Sequence, residues 1–293
     1  MSIYESILIT GGGGMLGRAL TDLLTARGYR PNSFTRDQLD ISNPLAVEKM
    51  FASIKPTLVL NCAAHTKVDL CEQETERANG INGHAPGHLA RLCAASSAAL
   101  VHISTDFVFD GSSRRPYLPN DPVHPLSAYG RSKLLGEQMI QQNAPQRWLI
   151  VRTAWVYGRH GANFPRTMVQ AARAGKPLTV VNDQFGSPTY TPDLAAAILD
   201  LLDTDANGIW HITNSGQTNW YDFAAATLKE FGITAEISLI SSADWAQKRP
   251  TSAIRPGYSV LDLTASEKRI GRPMRPWQEA LTDFRLAVER WGF

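Results

Sequence analysis

The chain reads as α/β, a doubly wound parallel sheet of Rossmann type with a second, smaller α/β domain. Three observations lead there. β-rich runs alternate with helical patterns through the first half, the signature of parallel strands joined by crossover helices. The first run breaks into four consecutive glycines and enters a helix at once. The length of 293 residues exceeds one ordinary domain, for which the prior is roughly 100–200 residues.

Ile7-Leu8-Ile9 is the first strand, and residues 15–27 carry Leu16, Leu20, Leu23 and Leu24 at the spacing of one helical face. A second strand is expected around residues 31–35. Asn43-Pro44 then offers an N-cap with proline at the first helical position. Thr57-Leu58-Val59-Leu60-Asn61 is a buried-type strand, residues 69–95 are helical in pattern, and residues 99–104 and 147–153 are further strands. The second half has longer loops rich in Pro, Gly, Asn and Arg, and Gly208-Ile209-Trp210-His211-Ile212 should return to the main sheet. The expected division is therefore interleaved. Residues 1–153 with about 189–216 form a dinucleotide-binding domain, and about 154–188 with 217–293 a substrate-binding domain.

Composition narrows the function. Hydrophobic residues at 43% and charged residues at 19% suit a globular core and exclude disorder. A net charge of +2 without a basic tract argues against a nucleic-acid partner. No run of about 18 apolar residues is present, so no membrane span is expected. The opening Met1-Ser2-Ile3-Tyr4-Glu5 lacks the basic start of a signal peptide. Cys62, Cys71 and Cys93 are odd in number and too far apart for a disulfide framework or a zinc pair, so a cytoplasmic protein is expected.

Ligands in such sheets sit beyond the carboxyl ends of the strands, which singles out residues 11–17, 61–66, 104–110 and 153–158. Thr10-Gly11-Gly12-Gly13-Gly14-Met15-Leu16-Gly17 fits G-x-x-G-x-x-G on Gly11, Gly14 and Gly17, or G-x-G-x-x-G on Gly12, Gly14 and Gly17. Either register gives a tight turn, backbone close to a pyrophosphate, and a helix amino terminus facing the anion. A lone glycine motif is weak, but strand before and helix after supply the context it needs. The second strand ends Phe34-Thr35-Arg36-Asp37. Arg36 suits the 2′-phosphate of NADPH and Asp37 the ribose of NADH, so NADPH is the preferred cofactor and NADH the alternative.

Tyr129 and Lys133 are spaced i, i+4, one face of a helix. A lysine beside a phenol favours the phenolate and lowers its pKa, so Tyr129 can give a proton to a ketone oxygen as hydride reaches its carbon. Lys133 can also hold the cofactor ribose. Tyr-x-x-x-Lys is common by chance on solvated helices, and its position downstream of Ile103-Ser104-Thr105 is what gives it weight. Thr105 can polarise the same oxygen, or serve only as a strand-end hydroxyl, and Asp106 can accept from a sugar hydroxyl.

With these residues in hand the chain resembles the extended short-chain dehydrogenase/reductase superfamily, and within it the dTDP-4-dehydrorhamnose reductase family. The runs that carry the resemblance are Asn61-Cys62-Ala63-Ala64-His65-Thr66-Lys67-Val68-Asp69, Ser104-Thr105-Asp106-Phe107-Val108-Phe109-Asp110-Gly111, Arg152-Thr153-Ala154-Trp155-Val156-Tyr157-Gly158, Asp183-Gln184-Phe185-Gly186-Ser187-Pro188-Thr189 and Arg255-Pro256. The resemblance implies reduction of the C4 ketone of dTDP-4-dehydro-L-rhamnose with NADPH or NADH. It makes Tyr129 the proton donor and Lys133 its partner, and it brings Thr105 and Asp106 to the sugar. It places Met15 and Leu16 at the helix start, Asp40 and Ile41 near the adenine, and Ala63, Ala64, His65 and Thr66 along the cofactor. Trp155 lies against the substrate, or is core; His65 reads equally as a strand-end cap. Arg255 suits a diphosphate bidentately, or is a surface charge.

Some relatives bridge two subunits with a divalent metal held partly by an acidic residue after the glycine turn. Here that segment reads Gly17-Arg18-Ala19-Leu20, so no such metal is expected, and a homodimer stays open. Rival readings are a reductase of another nucleotide 4-keto sugar, a non-catalytic regulatory subunit of the same fold such as that of methionine adenosyltransferase, and an epimerase or dehydratase. The last would need an added acid and base beside Thr105, for which Asp106-Phe107 supplies at most one.

Overall fold

The computed structural model describes residues 4–143 and 145–292; the leader reading at residues 1–3 lies outside them. Strands β1 (Ile7–Thr10), β2 (Asn32–Phe34), β3 (Leu58–Asn61), β4 (Ala99–Thr105) and β5 (Trp148–Thr153) join Gly208–His211 in a six-stranded sheet. All pairings in it are parallel, in the order Gly208–His211, β5, β4, β3, β1, β2. The expected return of residues 208–212 to the sheet is met at its edge, beside β5.

Near-continuous apolar runs are what a sheet covered on both faces requires. On one face Ile7, Ile9, Leu60, Val101 and Val151 pack against α1 (Met15–Ala26) and the Thr191–Leu202 helix. On the other, Leu8, Val59, Leu100 and Ile150 meet α2 (Pro44–Ile54) and the Ala85–Ser96 helix. Each fully buried aliphatic side chain contributes about 1.5–3 kcal/mol, so these two layers fix the strand ends in space. The α2 start is as expected: Asn43 Oδ1 accepts from Ala46 N at 3.2 Å, with Pro44 following.

The helical stretch expected over 69–95 is broken. It runs as Val68–Gln73, Thr75–Ala78, a π-helical turn Asn79–His84, and Ala85–Ser96. Beyond β5, three two-stranded pairings connect Val156–Tyr157 with Thr189–Tyr190, Leu178–Val181 with Ile237–Ile240, and Phe185–Gly186 with Thr218–Asn219. An aromatic cluster of Tyr157, Tyr190, Phe223, Trp277 and Phe284 packs among them. Among the described residues no helix is long and apolar enough to cross a membrane.

Candidate active site

β1 has β2 on one side and β3 on the other, so the chain changes direction there and leaves a crevice beyond the carboxyl ends. A cleft of about 880 Å³ occupies it. Of the residues singled out above, Gly11, Gly14, Met15, Leu16, Gly17, Arg36, Asp40, Ile41, Ala63, Ala64, His65, Thr66, Thr105, Asp106, Tyr129, Lys133, Trp155 and Arg255 all line it.

Both registers of the glycine turn place glycines where a Cβ has no room, since one on Gly12 would lie 2.2 Å from Ser33 Oγ. Gly11 has φ +67°, and a Cβ there would lie 2.6 Å from Ala63 N. A Cβ on Gly17 would collide with the Gly11 carbonyl oxygen. Gly14 is the N-cap of α1, its N–H donating to Gly11 O at 2.9 Å. No side chain caps α1 and no acid sits in its first turn. Its leading amides are therefore left for an anion, and the cradle suits a dinucleotide pyrophosphate.

Arg36 stands on the rim, its Nε 3.9 Å from Asp40 and its side chain largely in solvent. Asp40 is held below the usual carboxylate range, first by the Ser42 hydroxyl. His65 is clamped by the π-helical turn: its N–H donates to Asn82 Oδ1 at 2.8 Å, and Asn82 Nδ2 returns bonds to His65 O and Ser132 Oγ, both at 3.0 Å. Ser132 in turn donates to the Tyr129 carbonyl at 2.8 Å. Asn82 thus couples the 63–66 loop to the Ala128–Asn143 helix that carries Tyr129 and Lys133. Burial, aided by Arg77, lowers the His65 pKa.

Thr105 ends β4, donating to Asp106 Oδ1 at 3.0 Å and accepting from Phe107 N at 3.2 Å. Asp106 is buried, and burial, opposed first by the Ser259 and Thr105 hydroxyls, lifts its carboxyl to about 6. Tyr129 packs edge-on to Phe107 at 5.7 Å.

Here one expectation fails. Lys133 does not lower the Tyr129 pKa; burial first, then Asp106 and Cys71, raises it against the opposing Thr105 hydroxyl. The reason is geometric. Lys133 Nζ donates to the Ile103 carbonyl at 2.6 Å and meets His102 Nε2 at 3.1 Å, so the ammonium is engaged by residues of β4. Burial lowers Lys133 itself to about 8.

Trp155 holds φ +48°, a conformation a bulky residue adopts under tertiary constraint. It stacks on Trp220 at 3.6 Å, and a Cβ on Gly186 would sit 2.6 Å from its ring. Arg255 lines the cleft with its guanidinium engaged: Nη2 pairs with Asp69 at 2.9 Å and Nη1 donates to Ala253 O at 3.0 Å. Among the described residues no three His, Cys, Asp or Glu side chains gather as a metal site.

Sequence reasoning missed Asn82, Trp220 and His102. The four glycines and the Tyr-Lys spacing are local signals. Asn82 sits inside an apparently regular helical pattern, and His102 is one polar residue in an apolar strand.

Comparison with known proteins agrees with this geometry. Residues 5–289 match the family model described as RmlD substrate binding domain. A dTDP-4-dehydrorhamnose reductase from Mycolicibacterium smegmatis is 42% identical over 97% of this chain and 86% of its own. A solved dTDP-4-dehydrorhamnose reductase from Clostridium acetobutylicum superposes with TM-score 0.91 at 40% identity, covering 97% of this chain and 99% of that one. One from Bacillus anthracis, solved in complex with NADP, gives 0.89 at 34%, covering 97% and 98%. The chain belongs to the RmlD substrate-binding-domain family.

Proposed function

We propose that this chain is an NADPH-dependent reductase of the C4 ketone of dTDP-4-dehydro-L-rhamnose, giving dTDP-L-rhamnose. NADH is the lesser alternative. The observation that carries the reading is the convergence of Thr105, Tyr129 and Lys133 on the cleft that the glycine turn opens. The bound dinucleotide would supply a hydride to the ketone carbon. Tyr129 gives its hydroxyl proton to the oxygen, and Thr105 donates a hydrogen bond to the same oxygen. A phenol that burial keeps protonated suits an acid in the reducing direction. Gly11, Gly14, Met15, Leu16 and Gly17 hold the diphosphate, and Arg36 the 2′-phosphate. Asp40 and Ile41 lie at the adenine end, and residues 63–66 flank the cofactor.

The sugar is taken by Asp106 and by Trp155 on its Trp220 backing, and the sugar-nucleotide diphosphate by Arg255. Residues 1–153 with about 189–216 form the dinucleotide domain, and the remainder the substrate domain. Three unpaired cysteines support a reducing, cytoplasmic place of work, and a homodimer is compatible with the fold.

The decisive experiment adds freshly made dTDP-4-dehydrorhamnose to protein and NADPH, follows cofactor oxidation, and reads the product stereochemistry by NMR. Stoichiometric oxidation with dTDP-L-rhamnose formed is expected. No oxidation would sink the reading in favour of a regulatory subunit. A different 4-epimer would reassign the sugar.

A further inference from the structure

A row of buried polar residues beneath Lys133 has no part in the chemistry above. Parallel register sets Thr10 opposite Asn61 and Asn61 opposite His102, so three side chains stand abreast on one face of the sheet. Thr10 Oγ1 donates to Asn61 Oδ1 at 2.7 Å, Asn61 Nδ2 lies 2.9 Å from His102 Nδ1, and His102 Nε2 lies 3.1 Å from Lys133 Nζ. All four residues are at most 1% exposed, so the hydrogen bonds they make to one another carry most of their polar satisfaction. Burial and the adjacent lysine hold His102 well below the ordinary histidine range, and its ring is neutral.

A neutral imidazole carries one proton, and the line closes in two ways. With the Asn61 amide group donating to Nδ1, the ring proton sits on Nε2. That N–H needs a lone pair, which Lys133 offers as an amine and lacks as an ammonium. With the amide turned over, Asn61 Oδ1 accepts from Nδ1–H, Asn61 Nδ2 donates to Thr10 Oγ1, and bare Nε2 accepts from the ammonium. Each arrangement satisfies one charge state of the lysine.

We propose that His102 is a positioning residue for Lys133, its tautomer and the Asn61 amide turning over together whenever the lysine gains or loses a proton. The use of this coupling rests on the reductase reading. Tyr129 gives its proton to the substrate oxygen, and the Lys133 ammonium, one turn along the same helix, releases one into the site to replace it. The amine left behind is held by Nε2–H until it takes a proton from water, and the line returns. One proton enters for each one delivered.

The other ionisable groups around this pair are accounted for. Glu137, one turn along the Ala128–Asn143 helix, is bound to Arg152 of β5 at 2.7 Å and to Ser104 of β4. Cys62 follows β3, and it and Glu137 oppose the burial that brings Lys133 to about 8. Tyr129, Asp106 and Cys71 lie on the cleft side. Both lysine forms are therefore populated at working pH, and a partner able to serve only one would leave a buried polar group unsatisfied in the other.

The first test needs no turnover. In cofactor-free protein labelled with 15N-histidine, the His102 Nδ1 and Nε2 signals should exchange protonated and bare character between about pH 6.5 and pH 10, across the lysine titration. A single tautomer throughout overturns the proposal, whatever the substrate proves to be.

The second arm is the pH profile of kcat/KM for ketone reduction. His102→Phe removes the acceptor of the ammonium and should move the alkaline limb down by about one unit. His102→Gln, whose amide can accept or donate, should bring it back toward wild type. A residue that only fills space would lower rates with the limb unmoved, and an unmoved limb in folded His102→Phe overturns the proposal. If that variant fails to fold, the tautomer titration of the wild-type protein decides.

Discussion

The hydroxyl of Tyr129 is the acid assigned to the ketone oxygen, and its removal tests the residue scale directly. Tyr129→Phe keeps the ring contact with Phe107 and loses the proton. Its kcat should fall about 10²–10⁴-fold, with NADPH binding unchanged by fluorescence titration; a kcat within tenfold of wild type would reassign the acid. Arg36 is the residue proposed to carry the cofactor choice. It is exposed and only distantly paired, 3.9 Å from Asp40, so it is available to a phosphate. Arg36→Ala should weaken NADPH about tenfold or more while leaving NADH nearly unchanged, since charge-assisted bonds are worth about 1.5–3 kcal/mol. Equal losses for both cofactors would remove it from the 2′-phosphate. The residues proposed to react can be singled out in sequence because their chemistry is carried by side-chain type and by short spacing, and the fold brings them to one cleft. Their supports are not. Asn82 and His102 matter through partners 17 and 31 positions away, which only the fold brings near. For the same reason sequence misleads about the effect of Lys133 on Tyr129, since i, i+4 spacing gives a shared face but does not say where a flexible ammonium ends.

At the scale of elements the glycine turn makes a graded prediction. Gly11 is left-handed and pressed on Ala63, whereas a Cβ on Gly13 would meet only the Thr35 side chain at 3.2 Å. Gly11→Ala should abolish cofactor binding and lower stability by about 1–2 kcal/mol or more from backbone strain. Gly13→Ala should retain binding within a few-fold. Comparable losses in urea melts and cofactor titrations would mean that the turn is set otherwise. Sequence leaves two registers open because four glycines look alike, and the structure crowds both, Gly11 against Ala63 and Gly12 against Ser33. The strands of the main sheet are legible to within a residue or so at their ends, as buried runs bounded by glycine or polar residues, whereas the short pairings beyond β5 are not. The π-helical turn Asn79–His84 is not. An inserted residue inside a helix leaves the flanking apolar periodicity almost intact, so 69–95 reads as continuous.

For the whole molecule, acid should be the dangerous direction. His211 is buried and pushed to about 3, by burial first and then by Arg152; His102 is depressed in the same sense. Between those values and an unfolded value near 6.5, the unfolded chain binds protons that the folded protein refuses, so stability falls as pH drops through that window. Asp106, raised to about 6, takes its proton in the folded state first. It offsets one histidine between about pH 6 and pH 4. His65 and His160 are lowered in the same sense, so the net slope is at least that of one group, about 1.4 kcal/mol per pH unit. The melting temperature should fall steadily from about pH 6.5 to about pH 4.5, and a flat profile there would contradict the burial of these rings.

The pairing of Arg255 with Asp69 gives the cleft a competitor of its own. Asp69 also accepts from Ala253 N at 3.0 Å, so one carboxylate fastens the 253–255 strand of loop to the helix Val68–Gln73 and occupies the cation that an incoming diphosphate would use. On the diphosphate role proposed for Arg255, binding is an exchange of one anion for another, and the measured affinity is the difference between the two. Asp69→Asn keeps the backbone bond and drops the charge, which should lower KM for the sugar nucleotide several-fold and flatten its dependence on salt. A raised KM would mean that Asp69 aims the guanidinium at its ligand. What reads as an ordinary surface ion pair would, on that proposed role, act as a built-in threshold that sets how concentrated a substrate must be before the site yields to it.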